Sequence, residues 1–336
     1  MKRAAERHFT TIAEFQQDVR AAGAPCVMRG LAADWPLVMV AVDGAGACLS
    51  RLKSMAAEKP ISFASAAPDT AGRLHYDDAV AGPNFRRRTI GLPQFLDLCA
   101  DIEANEYHAA QGLTADDFFP AFRRDHPMPL APDIAAPRFW IGGPVTVAAH
   151  ADPAVNIAVV AAGRRRFTLF PPEAIGNLYM GPFHITPGGP PVSMAHISAP
   201  DFSAYPRLAA AMDAALVAEL DPGDAIFIPY YWFHHVESLD AFNVLVNYWW
   251  DDAREDVGSA FDVLMHGMMT LRNLPADQRR AWRAMFDQYV FLTNGDPGAH
   301  LPVSARGIMA ASSPQDIKRM RAALIARLRD GAAAGS

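Results

Sequence analysis

A mainly β protein with helices at both ends is the fold class this sequence predicts, on three observations. Short apolar or β-branched runs, punctuated by Gly, Pro and Asp, crowd the stretch from Arg138 to Asp251. The residues before it are mixed in pattern, and those after Asp252 turn helical. Successive short runs of this kind, separated by turn formers, read as the strands of a sandwich or barrel. At 336 residues the chain is long enough to bury a sizeable core.

The elements follow in order. Ile12, Phe15 and Val19 recur at helical spacing behind Thr10-Thr11, which suits an N-cap, so a helix is expected over 8–22. Pro25 to Gly30 reads as a short strand closed by a glycine. Helical stretches are expected around Trp35 to Val40 and Gly46 to Ala57, then an irregular region over 61–90. A helix is expected from Gly91 to Ala104, started near Pro93, and a strand at Glu106 to Ala110. The β region carries Phe139–Ile141, Thr146–Ala149, Asn156–Val160, Phe167–Phe170, Ala225–Ile228 and Phe242–Asn247, with a tight turn at Ala161–Gly163. Beyond it, Val257, Phe261, Leu264, Met265, Met268 and Leu271 line one helical face, and Trp282, Met285, Phe286 and Tyr289 the next. Ser313-Pro314 with Asp316 starts a last helix carrying Ile317, Met320, Leu324 and Leu328. These stripes suit either packing on the same chain or a helical dimer interface.

Composition excludes several function classes. Hydrophobic residues make up 51% and charged residues 20%, as in ordinary globular proteins. A net charge of -6 gives no electrostatic reason for a nucleic-acid partner, and the basic runs Arg86–Arg88 and Arg164–Arg166 are short. Cys26, Cys48 and Cys99 are scattered without CxxC spacing, against a disulfide framework or zinc knuckle and in keeping with a reducing compartment. The N-terminus lacks the apolar core of a signal peptide, and no apolar run is long enough to span a membrane. A cytoplasmic protein is expected.

Three His-x-acid matches carry potential chemistry: His75-Tyr76-Asp77, His150-Ala151-Asp152 and His235-Val236-Glu237. On an extended chain, residues two apart share a face. His150-Ala151-Asp152 closes a strand pattern and precedes Pro153, which places it at a barrel mouth. A distant histidine is available in Pro229-Tyr230-Tyr231-Trp232-Phe233-His234-His235. Two imidazoles and one carboxylate form the 2-His-1-carboxylate facial set, which holds a redox-active iron and leaves other positions open. His75-Tyr76-Asp77 sits in an irregular polar stretch, and Glu237 reads as a surface or hydrogen-bonding residue.

These motifs occur in a larger ordered set. It runs Phe139-Trp140-Ile141-Gly142, His150-Ala151-Asp152, Asn156, Gly163 to Pro172, Leu178-Tyr179, Pro222 to Pro229, Trp232 to Leu239 and Asn247-Tyr248-Trp249. In that order and spacing it resembles the cupin-like branch of the jumonji-C oxygenases, which includes the asparaginyl hydroxylase acting on hypoxia-inducible factor. More narrowly, Tyr76-Asp77-Asp78 with Asn84-Phe85 resembles a bacterial cupin-like group. The resemblance covers residues 9–251 and is clearest over 138–251.

The resemblance implies a double-stranded β-helix, a jelly-roll or cupin barrel, using Fe(II), 2-oxoglutarate and dioxygen. His150, Asp152 and His234 would be the iron ligands and hence the catalytic residues, with His235 facing away. Arg165 stands where the asparaginyl hydroxylase has a lysine for the distal carboxylate of 2-oxoglutarate, and shares its face with Phe167 and Leu169. An arginine can pair bidentately with a carboxylate. Val147 stands where the family has a threonine, with Thr146 on the opposite face. Tyr107, Asn156 and Asn247 match further polar positions and are expected to contact 2-oxoglutarate, while Trp232 and Trp249 could line the substrate cleft. The implied division is an oxygenase domain over 1–251, with barrel core 138–251 and an α/β flank 1–137, then a helical region over 252–336. The implied function is hydroxylation of a protein side chain or small molecule, with no nucleic acid or membrane involved. Alternatives are a catalytically silent metal-binding regulatory module and a cupin metalloenzyme without 2-oxoglutarate, such as an isomerase.

Overall fold

The computed structural model of the protein describes residues 1–9, 11–100, 105–310 and 313–333. Contacts divide the chain into two units, Met1–Asp251 and Asp252–Ser336.

Eight strands build the centre of the first unit. Leu216–Leu220, Arg165–Phe170, Phe233–Ser238 and Thr146–His150 lie side by side in one sheet, and Ala225–Ile228, Val155–Ala162, Asn243–Trp250 and Pro137–Gly142 in the other. Every pairing among neighbours within each set of four is antiparallel. Phe167, Leu169 and Val236 of the smaller sheet meet Ala158, Val160, Ile226, Ile228 and Leu245 of the larger in one buried cluster, so the sheets pack face to face. This is the jelly-roll arrangement, in which two sheets share one apolar interior. Gly163 closes the turn between Val155–Ala162 and Arg165–Phe170 with φ of 67°. A Cβ there would run into the Phe242 carbonyl oxygen and the Asn243 side chain, so only glycine fits.

The outer face of the larger sheet is covered by the N-terminal flank. Phe15, Trp35, Leu37, Leu52, Phe95, Phe119 and Phe122 bury against Phe139, Ile157, Val159, Phe227 and Val246. Thr11 caps the first turn, its hydroxyl accepting from the Glu14 backbone N–H at 3.2 Å. That turn widens into a π-helical stretch, Phe15–Arg20, which buries Phe15 and Val19 and leaves Ile12 in solvent, unlike the three-residue stripe expected from spacing. The Thr10 half of the expected cap and the 101–104 tail of the helix expected to Ala104 lie outside the described residues; the helix runs Leu92–Ala100.

Two differences from the sequence reading have clear causes. The supposedly irregular region contains the strands Pro60–Ala66 and Phe85–Gly91, paired over their whole length. Phe85–Gly91 is an edge strand whose Arg86, Arg87 and Arg88 are exposed, and charges that protect an edge also hide its apolar alternation. The short strands Lys2–Arg3 and Ala5–Glu6 pair with Leu216–Leu220 and Cys26–Met28, tying one chain end to both sheets. Two-residue strands are below what periodicity can register.

In the second unit, helices span Ala260–Thr270, Ala276–Tyr289 and Pro314–Ala333. Ser313 forms the expected cap, its hydroxyl accepting from the Asp316 backbone N–H at 3.2 Å and donating to the Asp316 carboxylate at 2.6 Å. Among the described residues of this unit no hydrophobic side chain is buried, and Val263, Leu264, Met265, Met269, Trp282, Met285, Met320, Leu324 and Leu328 are exposed. No helix among the described residues is long and apolar enough to cross a membrane.

Candidate metal centre

His150 ends its strand directly opposite His234 on the neighbouring antiparallel strand. Cross-strand partners project from the same face at short range, and the two imidazole centroids stand 4.3 Å apart. Asp152, just past the strand end, brings a carboxylate oxygen to 3.5 Å from His234 Nε2. One ligand atom from each of His150, Asp152 and His234 lies within 4.8 Å of the other two, the one such cluster among the described residues.

Each histidine is fixed by the same device. His150 Nδ1 bonds the Ala148 carbonyl at 2.9 Å, and His234 Nδ1 bonds the Trp232 carbonyl at 3.0 Å. A carbonyl can only accept, so each Nδ1 carries the proton and each Nε2 presents a lone pair. That tautomer is the one a metal requires, oriented by an outer-shell acceptor. The loop before His234 is held by Tyr231, whose backbone N–H donates to the Asp152 carbonyl at 3.2 Å from a left-handed φ of 59°. Strain of this kind in a non-glycine residue persists where the surroundings enforce it; here it locks the Asp152 and His234 segments together.

The electrostatics suit a cation. Burial, reinforced by His234, pushes His150 down to about 4. Burial also opposes charge on Asp152, but His234 and His150 outweigh it and lower the carboxyl. Burial pulls His234 down, and the Asp152 carboxylate more than offsets this, raising it. Asp152 Oδ2 is enclosed with no well-formed hydrogen bond, since 3.5 Å to His234 is too long for one. A divalent ion between them would satisfy both the Nε2 lone pair and the carboxylate, so the donor set fits a metal.

His235 faces away, as alternation requires, its Nε2 2.8 Å from the Ser198 hydroxyl. His75 Nε2 donates to the Ser193 carbonyl at 2.9 Å instead of joining the cluster. Its neighbours in the Tyr76-Asp77-Asp78…Asn84-Phe85 motif are structural: Asn84 accepts from the His75 N–H and donates to the Arg73 carbonyl, both at 2.9 Å. Tyr76 packs on Ala148 and Val192. Together they anchor the Pro- and Gly-rich strap 181–197, which runs between Arg165–Phe170 and Leu208–Ala214.

Arg165 is buried inside the barrel on the face of Phe167 and Leu169. Its guanidinium donates to the Trp140 carbonyl at 3.3 Å, its Nε has no partner, and no ion pair to it forms among the described residues. Burial alone pushes it down to about 9. Asn247 Nδ2 donates to Asn156 Oδ1 at 2.8 Å, leaving Asn156 Nδ2 and Asn247 Oδ1 unpartnered inside the barrel. Tyr107 packs with Leu74, Phe85 and Val145.

A small cavity lies beside His150, walled by Leu74, Phe85, Gln111, Trp140, Val147, Pro187, Gly188, Pro190 and Val192. Val147 reaches it through a β-bulge: His234 opposes His150 but Val236 opposes Val147, one residue more on the His150 strand. Strict alternation would have put Val147 and His150 on opposite faces. Thr146 instead pairs with Glu237 and Arg73. Tyr107 is not among the walls, whereas Gln111, four residues on, is. Gln111 shares an alternation with Tyr107 and Ala109, a signal the sequence offered. Trp232 lines a separate open groove with Arg20, Gly23 and Tyr230, its indole donating to the Gly23 carbonyl at 3.1 Å. Trp249 stands edge-on to Trp140 with centroids 5.8 Å apart.

The sequence profile of the cupin-like domain matches residues 12–256. The chain belongs to the cupin-like family. The cupin-like chain is 30% identical over 163 residues to a protein of Arabidopsis thaliana named lysine-specific demethylase JMJ31, covering 46% of this chain and 29% of that one. It is 24% identical over 232 residues to tRNA wybutosine-synthesizing protein 5 of Gallus gallus, 58% and 70% of the two chains. It is 36% identical over 95 residues to human HSPB1-associated protein 1, 28% and 19% of the two. It therefore spans under a third of the Arabidopsis relative. These relatives carry the cupin and jumonji-C family rather than the narrower likeness to the asparaginyl hydroxylase. One of them is named for a tRNA, so the expected absence of a nucleic-acid partner gains no support here.

Proposed function

We propose that this cupin-like protein is an Fe(II)- and 2-oxoglutarate-dependent oxygenase that hydroxylates a protein side chain or small molecule. The reading rests on one observation above all. His150, Asp152 and His234 converge from one side with both Nδ1 protons committed to backbone carbonyls. Such a set occupies one face of the ion and leaves the other for co-substrate and oxygen.

Iron(II) held there would supply the oxidative chemistry, in which 2-oxoglutarate, dioxygen and a C–H bond give succinate, carbon dioxide and a hydroxyl group. The chain's own residues do the rest. Asp152 provides the single negative charge of the ligand set. The unpaired, buried Arg165 would receive the distal carboxylate of 2-oxoglutarate, and an anion there would relieve an uncompensated charge. Asn156 and Asn247 offer a spare donor and acceptor on the same interior. Apolar walls from both sheets exclude water from that interior.

A catalytically silent metal-binding module is the second reading, and Val147 favours it, because the hydroxyl donor found there in the family is gone. Succinate release from 2-oxoglutarate under Fe(II) and air, followed by NMR, separates the two. The oxygenase forms succinate, if slowly without its second substrate, and Asp152→Ala forms none. Metal binding by the parent protein with no succinate at any concentration would favour the silent module.

A further inference from the structure

The strand Phe85–Gly91 ends the larger sheet, with Pro60–Ala66 as its one neighbour among the described residues. The Leu92 N–H donates to the Lys59 carbonyl at 2.9 Å, in the register that sets Ile90 opposite Ile61, Arg88 opposite Phe63 and Arg86 opposite Ser65. Antiparallel pairs alternate between those that exchange hydrogen bonds and those that do not. Arg86, Arg88 and Ile90 therefore bond inward, while Arg87 and Thr89 each turn a backbone N–H and C=O to the open side. No hydrogen bond to those groups forms among the described residues, and the side chains from Arg86 to Thr89 are all exposed.

The open edge is basic on both faces. Arg87 lies over the Phe85 ring on one face and Arg88 over the Phe63 ring on the other, each 5.7 Å from the centroid. Arg86 shares the face of Arg88, and its guanidinium has no partner among the described residues. Arg87 donates to the Pro187 carbonyl at 3.3 Å, which leaves its charge unbalanced. The Arg88 pair with Glu106, at 3.2 Å, is half-exposed on both sides and worth little. Arginines on an edge oppose pairing with a like edge. A second copy would set these three against their own counterparts, so the residues that exclude self-pairing favour an acidic strand.

We propose that this edge docks an extended acidic segment of another polypeptide as an added strand. The segment's backbone takes up the free groups of Arg87 and Thr89. Successive side chains of a strand alternate in face, so consecutive acids meet Arg87 on one side and Arg86 and Arg88 on the other. A nucleic-acid backbone lying on either face would reach only part of that set, and it offers no amides in register with the edge. Phe85, in the same strand, also walls the cavity beside His150, so the edge leads toward the metal end of the barrel. Docking itself needs no metal and stands whether or not the oxygenase reading does.

The test uses the full-length protein without metal and fluorescein-labelled hexapeptides, with binding read by anisotropy at low salt, where exposed charges are least screened. One peptide carries three consecutive glutamates flanked by threonine and valine. A second has lysines in their place, and a third is the glutamate peptide with its backbone nitrogens methylated. The glutamate peptide should bind about tenfold tighter, or more, than either of the others. Arg86→Glu combined with Arg87→Glu should lower its affinity by about tenfold or more. Thr89→Pro removes one outward N–H, keeps every charge and spares the bonds to Pro60–Ala66. It should cost about fivefold, equivalent to one hydrogen bond. Equal binding of the methylated peptide, or affinity unchanged in Thr89→Pro, would overturn the proposal by reducing the edge to a patch of charge. Tighter binding of a labelled oligouridylate, lost in the double variant, would overturn it in favour of a nucleic acid. Absence of binding by the glutamate peptide would overturn it outright. Should the double variant fail to fold, the three peptides on the parent protein still decide.

Discussion

His150 and His234 face each other as direct partners on antiparallel strands, ring centroids 4.3 Å apart, each with Nδ1 bonded to the carbonyl two residues before it. The pairing ties metal affinity to strand register. A slip of one residue would turn one imidazole to the other face.

Asp152 completes that pair, and Asp152→Ala should lower Fe(II) or Mn(II) affinity at least a hundredfold. Circular dichroism should remain that of the parent protein, because Asp152 lies beyond the strand end. The parent protein should gain about 2.7 kcal/mol of stability at a metal concentration about a hundredfold above its Kd, and the variant almost none. Thermal melts with and without metal measure both.

Arg165 is buried with no counter-ion among the described residues, so its charge costs stability until an anion arrives. Arg165→Met should leave the apo protein as stable or stabilise it by about 1–3 kcal/mol, and should lower 2-oxoglutarate affinity more than tenfold. Urea unfolding and calorimetric titration give the two values. A destabilised variant with unchanged affinity would remove Arg165 from the co-substrate site.

Val147 shares the cavity wall with His150 through the bulge. Val147→Thr restores a hydroxyl at the position where the family carries one. The expected gain in 2-oxoglutarate affinity is about fivefold, equivalent to a hydrogen bond of about 1 kcal/mol. Unchanged or weaker binding would mean the hydroxyl has no carboxylate to meet.

The interior of the barrel was legible because its strands alternate strongly or carry long apolar runs, as Ile157–Ala162 does, and because the His-x-Asp and distant-histidine motifs are specific in combination. The face of Arg165 followed from parity with Phe167 and Leu169. Thr146 and Val147 take opposite faces as parity expects, but the bulge that brings Val147 and His150 to one cavity leaves no mark in the residue types. The edge strand Phe85–Gly91 escaped notice because its three arginines mask alternation. Gln111 was missed because no charge or motif singles it out; its shared alternation with Tyr107 was the one signal, and the fold shows which of the two reaches the wall beside His150.

The second unit leaves Leu264, Met265, Trp282, Met285, Leu324 and Leu328 exposed on its helices. Apolar faces this extensive commonly cover one another in a second copy. Light scattering after gel filtration should give twice the chain mass, and Trp282→Glu combined with Leu324→Glu should shift it to a monomer. A monomeric parent protein would contradict a dimer.

The account's central claim is that His150, Asp152 and His234 hold iron with an open face on which 2-oxoglutarate binds. Anaerobic titration of the apo protein with Fe(II) and then 2-oxoglutarate tests it most directly. A metal-to-ligand charge-transfer band should grow to one equivalent of each and be absent from Asp152→Ala. Stoichiometric iron binding with no such band at saturating 2-oxoglutarate would contradict it.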